Sequence, residues 1–300
     1  MKQILRVGSR DSKLAVAQTM IVVNELKRLL PQMEIQLVTM KTTGDRVLDR
    51  ELEQVGGKGL FVRELDDALL HGDVDLTVHS LKDLPAELPE ELPLAAFSTR
   101  ADPRDALLFA PGCSEEDLFL PNAVIGSSGK RRIFQLQSRY PQATFRMMRG
   151  NVQTRLKKLE TEGYTATVLA MAGLTRLGLE TLPCRIFSPE EVLPAAGQGI
   201  LAVQKRRDDA FPWLISLDDR DAHAAALAER AFVRAVDGGC SSPMAAYAEI
   251  HGEELHLRGL YVDEATGQSA AGSLVGNVSD ALQIGETLAL RLKRQAKEET

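Results

Sequence analysis

An α/β protein closed by a small C-terminal α+β domain is the fold class this sequence predicts, on three observations. Through the first two hundred of 300 residues, short apolar runs alternate with helical patterns, as strands and helices do in layered α/β structure. Two breaks rich in turn residues, Ser98–Arg104 with Pro103 and the glycine-rich Pro194–Gly199, bracket a middle stretch. The chain is therefore expected to leave a first lobe, build a second and return. Beyond Leu217 the pattern becomes one alanine-rich helix, three alternating segments and a last helix, which reads as a separate unit of antiparallel strands with helices.

The expected strands of the two lobes are Ile4–Val7, Ile35–Met40, Val74–Val78, Leu94–Phe97, Ala106–Phe109, Ala123–Ile125, Thr144–Met148, Ala166–Ala170 and Ile200–Val203. Leu14–Leu30, Leu60–Leu70, Arg131–Arg139 and Val152–Leu159 read as the helices between them. In the second of these, Leu60, Phe61, Leu65, Ala68 and Leu69 recur at helical spacing, and His71-Gly72 is a stop. The last unit is expected as a helix Ala222–Val236, strands Ala245–Ile250, Leu255–Val262 and Gln268–Val275, and a helix Asp280–Lys297. Residues 41–58, KTTGDRVLDRELEQVGGK, are highly charged with little apolar periodicity, the pattern of a long loop or lid.

Hydrophobic residues make up 44% and charged residues 26%, the profile of a soluble globular chain able to bury its own core. Three cysteines (Cys113, Cys184, Cys240) without CxxC spacing argue against a disulfide framework and a cysteine zinc site. The start, MKQILRVGSR, lacks the apolar stretch of a signal peptide, and no apolar run approaches membrane-spanning length. A cytoplasmic protein with no membrane partner is expected. The net charge of −6 argues against nucleic acid as a partner. That average hides an asymmetry. Between Asp117 and Glu160 no acidic residue occurs, while Lys130, Arg131, Arg132, Arg139, Arg146, Arg149, Arg155, Lys157 and Lys158 do, so a +9 block sits in a chain whose remainder is −15.

The segment VIGSSGKRR, Val124–Arg132, runs from a strand through a small-residue turn into a helix, and helix N-termini attract anions. Basic residues in that first turn oppose the dipole, a cost of about 0.3–1 kcal/mol each at an exposed site that a shared anionic ligand would offset. The arrangement recurs: Arg10 follows the first strand with Ser12 as a helix cap, Arg149 follows Thr144–Met148, Arg155 lies on the next helix, and Arg176 follows Ala166–Ala170. Ligands of open α/β sheets gather at the carboxyl ends of strands, and arginine forks suit carboxylates and phosphates. A nucleotide phosphate is excluded, because Val124 stands where a P-loop needs its first glycine and Arg131 where it needs Ser or Thr. The five histidines (His71, His79, His223, His251, His256) are too scattered for a metal site.

Seven motifs in one order, VGSRDSKLA, VHSLKDLP, GSSGKRR, RGNVQTRL, LAMAGLTRLG, LPAAGQG and GGCSSPMAAYAE, closely resemble the porphobilinogen deaminase (hydroxymethylbilane synthase) family. The resemblance implies two lobes with the topology of type II periplasmic binding proteins and a small third domain. It sets domain one at residues 1–98 and 200–216, domain two at 99–199 and domain three at 217–300. It also implies a transferase reaction. Four porphobilinogens are joined head to tail with loss of ammonia, on a covalently held dipyrromethane, and released as a linear tetrapyrrole of the haem type of biosynthesis.

By the same resemblance, Cys240 would attach the dipyrromethane, Asp83 would be the catalytic carboxylate with Lys82 beside it, and Arg10, Ser12, Ser128, Arg131, Arg132, Arg149, Arg155 and Arg176 would bind cofactor and substrate carboxylates. Lys58 and Phe61 match the mobile loop and its hinge side, and Gln198 the crossing between lobes. The implied chemistry is physically coherent. Loss of ammonia leaves a cationic azafulvenium, and a carboxylate about 4 Å away at an effective dielectric near 20 is worth about 4 kcal/mol. Expressed only in the transition state, that is roughly a thousandfold in rate. One Asp serving every addition requires the chain or the domains to shift, with 41–58 as the lid. No metal is implied, and a monomer is. Three positions depart from the pattern: Gly129-Lys130 replaces Ser-Leu, removing a hydroxyl, and Leu81 stands where Met is frequent. The competing reading is a non-enzymatic binder of an anionic metabolite, weakened by the third domain with Cys240.

Overall fold

The computed structural model describes residues 4–46, 62–238 and 242–298. The chain opens with β1 (Ile4–Arg10), α1 (Lys13–Leu29), β2 (Glu34–Met40), one helical turn α2 (Thr43–Arg46), α3 (Arg63–Leu70), β3 (Leu76–Ser80) and β4 (Leu94–Phe97). It crosses into β5 (Asp105–Phe109), β6 (Val124–Gly126), α4 (Lys130–Gln137), β7 (Thr144–Arg146), α5 (Val152–Thr161), β8 (Ala166–Ala170), α6 (Met171–Arg176) and β9 (Cys184–Ile186), then returns as β10 (Leu201–Gln204). The remainder is α7 (Arg220–Ala235), β11 (Ala245–His251), β12 (Glu254–Val262), β13 (Ser269–Asn277) and α8 (Ala281–Glu298).

Both large sheets follow one plan. The first has the order β2-β1-β3-β10-β4 and the second β7-β6-β8-β5-β9. In each, three parallel strands are followed by one antiparallel strand, and that strand is the one arriving from the other lobe: β10 against β3 and β4, β5 against β8 and β9. This is the expected two-lobed α/β architecture, completed by the antiparallel sheet β11-β12-β13 with α7 and α8.

Local chemistry places the helices. Ser12 caps α1, its Oγ accepting from the Ala15 N–H at 3.3 Å, and Lys27 and Arg28 sit in its last turn where the dipole favours cations. Val22, Val23 and Leu26 then pack on Leu5, Val7, Leu76 and Val78 of the sheet. Each such fully buried side chain contributes about 1.5–3 kcal/mol. Central β3 is buried along Leu76–His79, as a strand covered on both faces must be. Asn151 and Asp219 cap α5 and α7 in the same way, each accepting at 2.9 Å.

The structure corrects several expectations. The strand expected to reach Met148 ends at Arg146, because Met148 turns inward against Gly126, where a Cβ would stand 2.5 Å from its Cε. The helix expected from Leu60 is described from Arg63, residues 47–61 lying outside the described part. The strand expected at Val74–Val78 runs two residues later, since Val74 donates to Ala68 O in the turn after α3. Helix α6 and strand β9 carry too few residues for a periodic signal and were not expected.

Candidate functional site

At the carboxyl end of β3 the chain tightens into a helical turn, Leu81–Asp83. Leu81 is buried and its N–H donates to Ile200 O at 3.0 Å, so the turn is pinned to the returning crossing. Gly197 on that crossing has φ +74, and a Cβ there would lie 2.6 Å from Leu81 Cγ, which only glycine avoids. From this pinned turn Lys82 and Asp83 project, Asp83 exposed and Lys82 half-buried.

Lys82 Nζ donates to Gln198 Oε1 at 3.3 Å. The Gln198 amide nitrogen donates to Pro103 O at 2.6 Å and to Asp105 Oδ1 at 3.0 Å. Asp105, fully buried at the start of β5, also accepts from Arg131 at 2.8 Å and from Arg132 at 2.7 and 3.2 Å. Arg131 and Arg132 stand in the first turn of α4 and reach further to Leu193 O and Val168 O. One polar chain thus runs from Lys82 in the first lobe, through the crossing, to two arginines in the second.

Electrostatics mark where charge is concentrated. Burial alone would raise the Asp105 carboxyl, and Arg131 and Arg132 outweigh it and hold the group well below the carboxylate range. Burial pulls the Lys82 ammonium down to about 8, opposed by Asp83, with Arg132 and Arg131 pressing the same way as burial. Arg155 falls to about 10 through burial and the neighbouring charges of Arg132 and Arg149, and Arg176 to about 10 through burial, each relieved by Asp83. Asp83 is therefore the carboxylate common to Lys82, Arg155 and Arg176.

The remaining expected residues are placed as follows. Arg10 lines a crevice with Gln18, His79, Ser80 and Asp83. Arg149 is buried within electrostatic reach of Arg155, whose Nε donates to Gly150 O at 2.9 Å, and Arg176 donates to Gly199 O at 2.7 Å. Ser12 caps α1, and Ser128 Oγ donates to Met148 O at 2.6 Å. Cys240, Lys58 and Phe61 lie outside the described residues.

The +9 block does not form one cationic face. Lys130 pairs with Glu264 at 2.6 Å, Arg139 with Glu115 and Glu191, and Arg146 lies over the Tyr164 ring at 3.9 Å. Lys130 is thus engaged with the β12–β13 turn, in the helix turn where the family hydroxyl is missing. Arg131 and Arg132 do not await a ligand with bare charge either, since Asp105 already neutralises part of it. That partner stands outside the acid-free stretch, 26 residues before Arg131 in sequence, where no local pattern marks it.

A second buried acid was also unread. Glu229 on α7 is fully enclosed, accepts from Arg100 at 2.7 and 2.8 Å, from Gly197 N–H at 2.6 Å and from Ala248 N–H at 2.7 Å. It ties both crossings to the third sheet. Burial pushes its carboxyl up, against Arg100 and the two amides. Ala245, Leu260 and Val262 add an apolar contact to Phe134 of α4 and to Leu193. Among the described residues no cluster suited to a metal ion occurs, and no helix is long and apolar enough to cross a membrane.

The donor set fits a ligand of many carboxylates: two lobes supply arginines and one lysine at strand ends, with a single exposed aspartate among them. Comparison with known proteins agrees. The model of the porphobilinogen deaminase dipyrromethane cofactor binding domain matches residues 5–211, and that of the porphobilinogen deaminase C-terminal domain residues 223–294. The porphobilinogen deaminase of Acetivibrio thermocellus is 48% identical over 97% of this chain and 99% of its own length. Those of Roseiflexus sp. and Paracoccus denitrificans are each 43% identical over 98% and 97% of this chain, and 97% and 94% of their own. Among solved structures, the periplasmic aliphatic sulphonate binding protein SsuA of Escherichia coli is 12% identical, with a TM-score of 0.40 over 78% of this chain and 70% of that one. On the two family models and near-full-length identity, the chain belongs to the porphobilinogen deaminase family.

Proposed function

We propose that this chain is a hydroxymethylbilane synthase, joining four porphobilinogens head to tail with loss of ammonia on a dipyrromethane held by Cys240. The observation that carries the reading is Asp83, an exposed carboxylate on a pinned turn that Lys82, Arg155 and Arg176 all feel. When bound, the dipyrromethane supplies the nucleophilic pyrrole carbon from which the product grows.

The chain's own residues do the rest. Each pyrrole carries an acetate and a propionate, and Arg10, Arg131, Arg132, Arg149, Arg155 and Arg176 bind them, with Ser12 and Ser128 at the helix starts adding hydroxyl contacts. Asp83 lies against the substrate cation left by departing ammonia, stabilises it, and takes up the proton released as the new bond forms. Lys82, its ammonium pulled down to about 8 by burial, pairs with carboxylates while protonated. Gln198 fixes Lys82 through its amide oxygen.

The reading extends to a monomer of three domains, 1–98 with 200–216, 99–199, and 217–300, in a reducing cytoplasm. The free thiols of Cys113 and Cys184 support that compartment. Intact-protein mass spectrometry tests the function. The purified chain should carry a mass excess of two pyrrole units, absent from Cys240→Ser and retained by Asp83→Asn, which should lose turnover. A fully active chain without added mass would overturn the reading.

A further inference from the structure

Asp105 has no part in the reading above, yet two of its arginines meet at this one carboxylate and Lys82 reaches it through Gln198. Both oxygens are spoken for: Oδ2 by Arg131, and Oδ1 by Arg132 and the Gln198 amide. The neighbours also fix which way the Gln198 amide points. Its nitrogen faces two acceptors, Asp105 Oδ1 and Pro103 O, so its oxygen must face the third neighbour, the Lys82 ammonium. Adjacent arginines repel one another in the absence of an anion, and their long side chains would otherwise swing towards water. Asp105 is the first residue of β5, immediately after one crossing, and Gln198 lies on the other. The network therefore depends on how the two lobes are set against each other.

We propose that Asp105 is a positioning residue for the reaction: through two guanidinium forks and the Gln198 amide, it holds Arg131, Arg132 and Lys82 as one preset array across both lobes. Ligand carboxylates then meet donors already aimed, and the ordering cost is met in folding rather than in each binding event. The proposal rests on the functional reading above, because it takes Lys82 and the two arginines as ligand-binding groups.

The test uses steady-state kinetics on protein that carries its two-pyrrole mass. Gln198→Met should lower kcat about tenfold, while Gln198→Met/Lys82→Met should fall within about twofold of Lys82→Met alone, because residues acting through one another are not additive. Multiplying effects in the double variant would overturn the relay. Asp105→Asn, which keeps shape but removes the charge, should raise KM for porphobilinogen at least about fivefold. A lower folded yield with unchanged KM would reduce Asp105 to a structural residue and overturn the proposal. Normal turnover by Lys82→Met would strike the functional reading itself, and the relay with it.

Discussion

His79 sits buried at the base of the crevice that holds Arg10, its Nε2 2.9 Å from Thr77 Oγ1. Burial pulls its pKa down to about 4; Gln204 resists and Arg10 adds to the fall. The folded pKa lies below the unfolded value of about 6.5, so the unfolded chain takes up the proton first as pH drops. The stabilisation is complete above about pH 6.5 and is lost as pH falls towards 4, reaching about 3 kcal/mol in all. Between pH 7 and pH 5 the share is about 2 kcal/mol. Urea unfolding at those two pH values should therefore show a dependence shallower by about that amount in His79→Gln; an identical dependence would mean that another group titrates. The same residue shows why a buried imidazole stays neutral at working pH: burial disfavours its charged form, and Arg10 beside it adds to that.

Among the elements, α7 and α8 meet closely at Gly285. A Cβ there would stand 2.2 Å from Ala228 O and 2.8 Å from Ala231 Cβ. On helix propensity alone, Gly285→Ala would gain about 1 kcal/mol. The contact reverses the sign, and the variant should be destabilised by about 1–3 kcal/mol in chemical unfolding; a gain in stability would show that the helices can part. Helix α7 itself was legible because sixteen residues give several helical periods, while its close pairing with α8 was not. Six-residue α6 and three-residue β9 give none, so they stayed hidden. The same division holds in the site. Arg10, Arg132, Arg149 and Arg176 were legible because each stands at or shortly after a strand end, whereas Asp105 and Glu229 are single acids whose partners come from 26 and 129 residues away. Only tertiary structure pairs them. The basic block was over-read for the converse reason, since Lys130, Arg139 and Arg146 find their partners outside it or on Tyr164.

At the scale of the whole molecule, the joint between the lobes and the third sheet turns on Glu229. Removing one partner of a buried pair leaves the other charge uncompensated, which costs about 3–5 kcal/mol. Glu229→Ala strands the Arg100 guanidinium and two backbone N–H groups together. Because the clamp joins the two crossings to α7 and β11, the loss should fall on cooperativity as well as on stability. Scanning calorimetry of the variant is expected to resolve two transitions where the parent shows one; a single transition shifted down would assign Glu229 to local packing alone.

The place of β10 in the first sheet also dictates an order of events during synthesis. Leu201–Gln204 fills the gap between Leu76–Ser80 and Leu94–Phe97, yet it is translated after all five strands of the second sheet. The N-terminal stretch that emerges first from the ribosome waits with an open sheet, its unpaired edges exposed, while the second sheet has all five of its strands by Ile186. The sheet begun second is thus the one completed first, and the nascent N-terminal stretch is the one whose strand edges stay open longest.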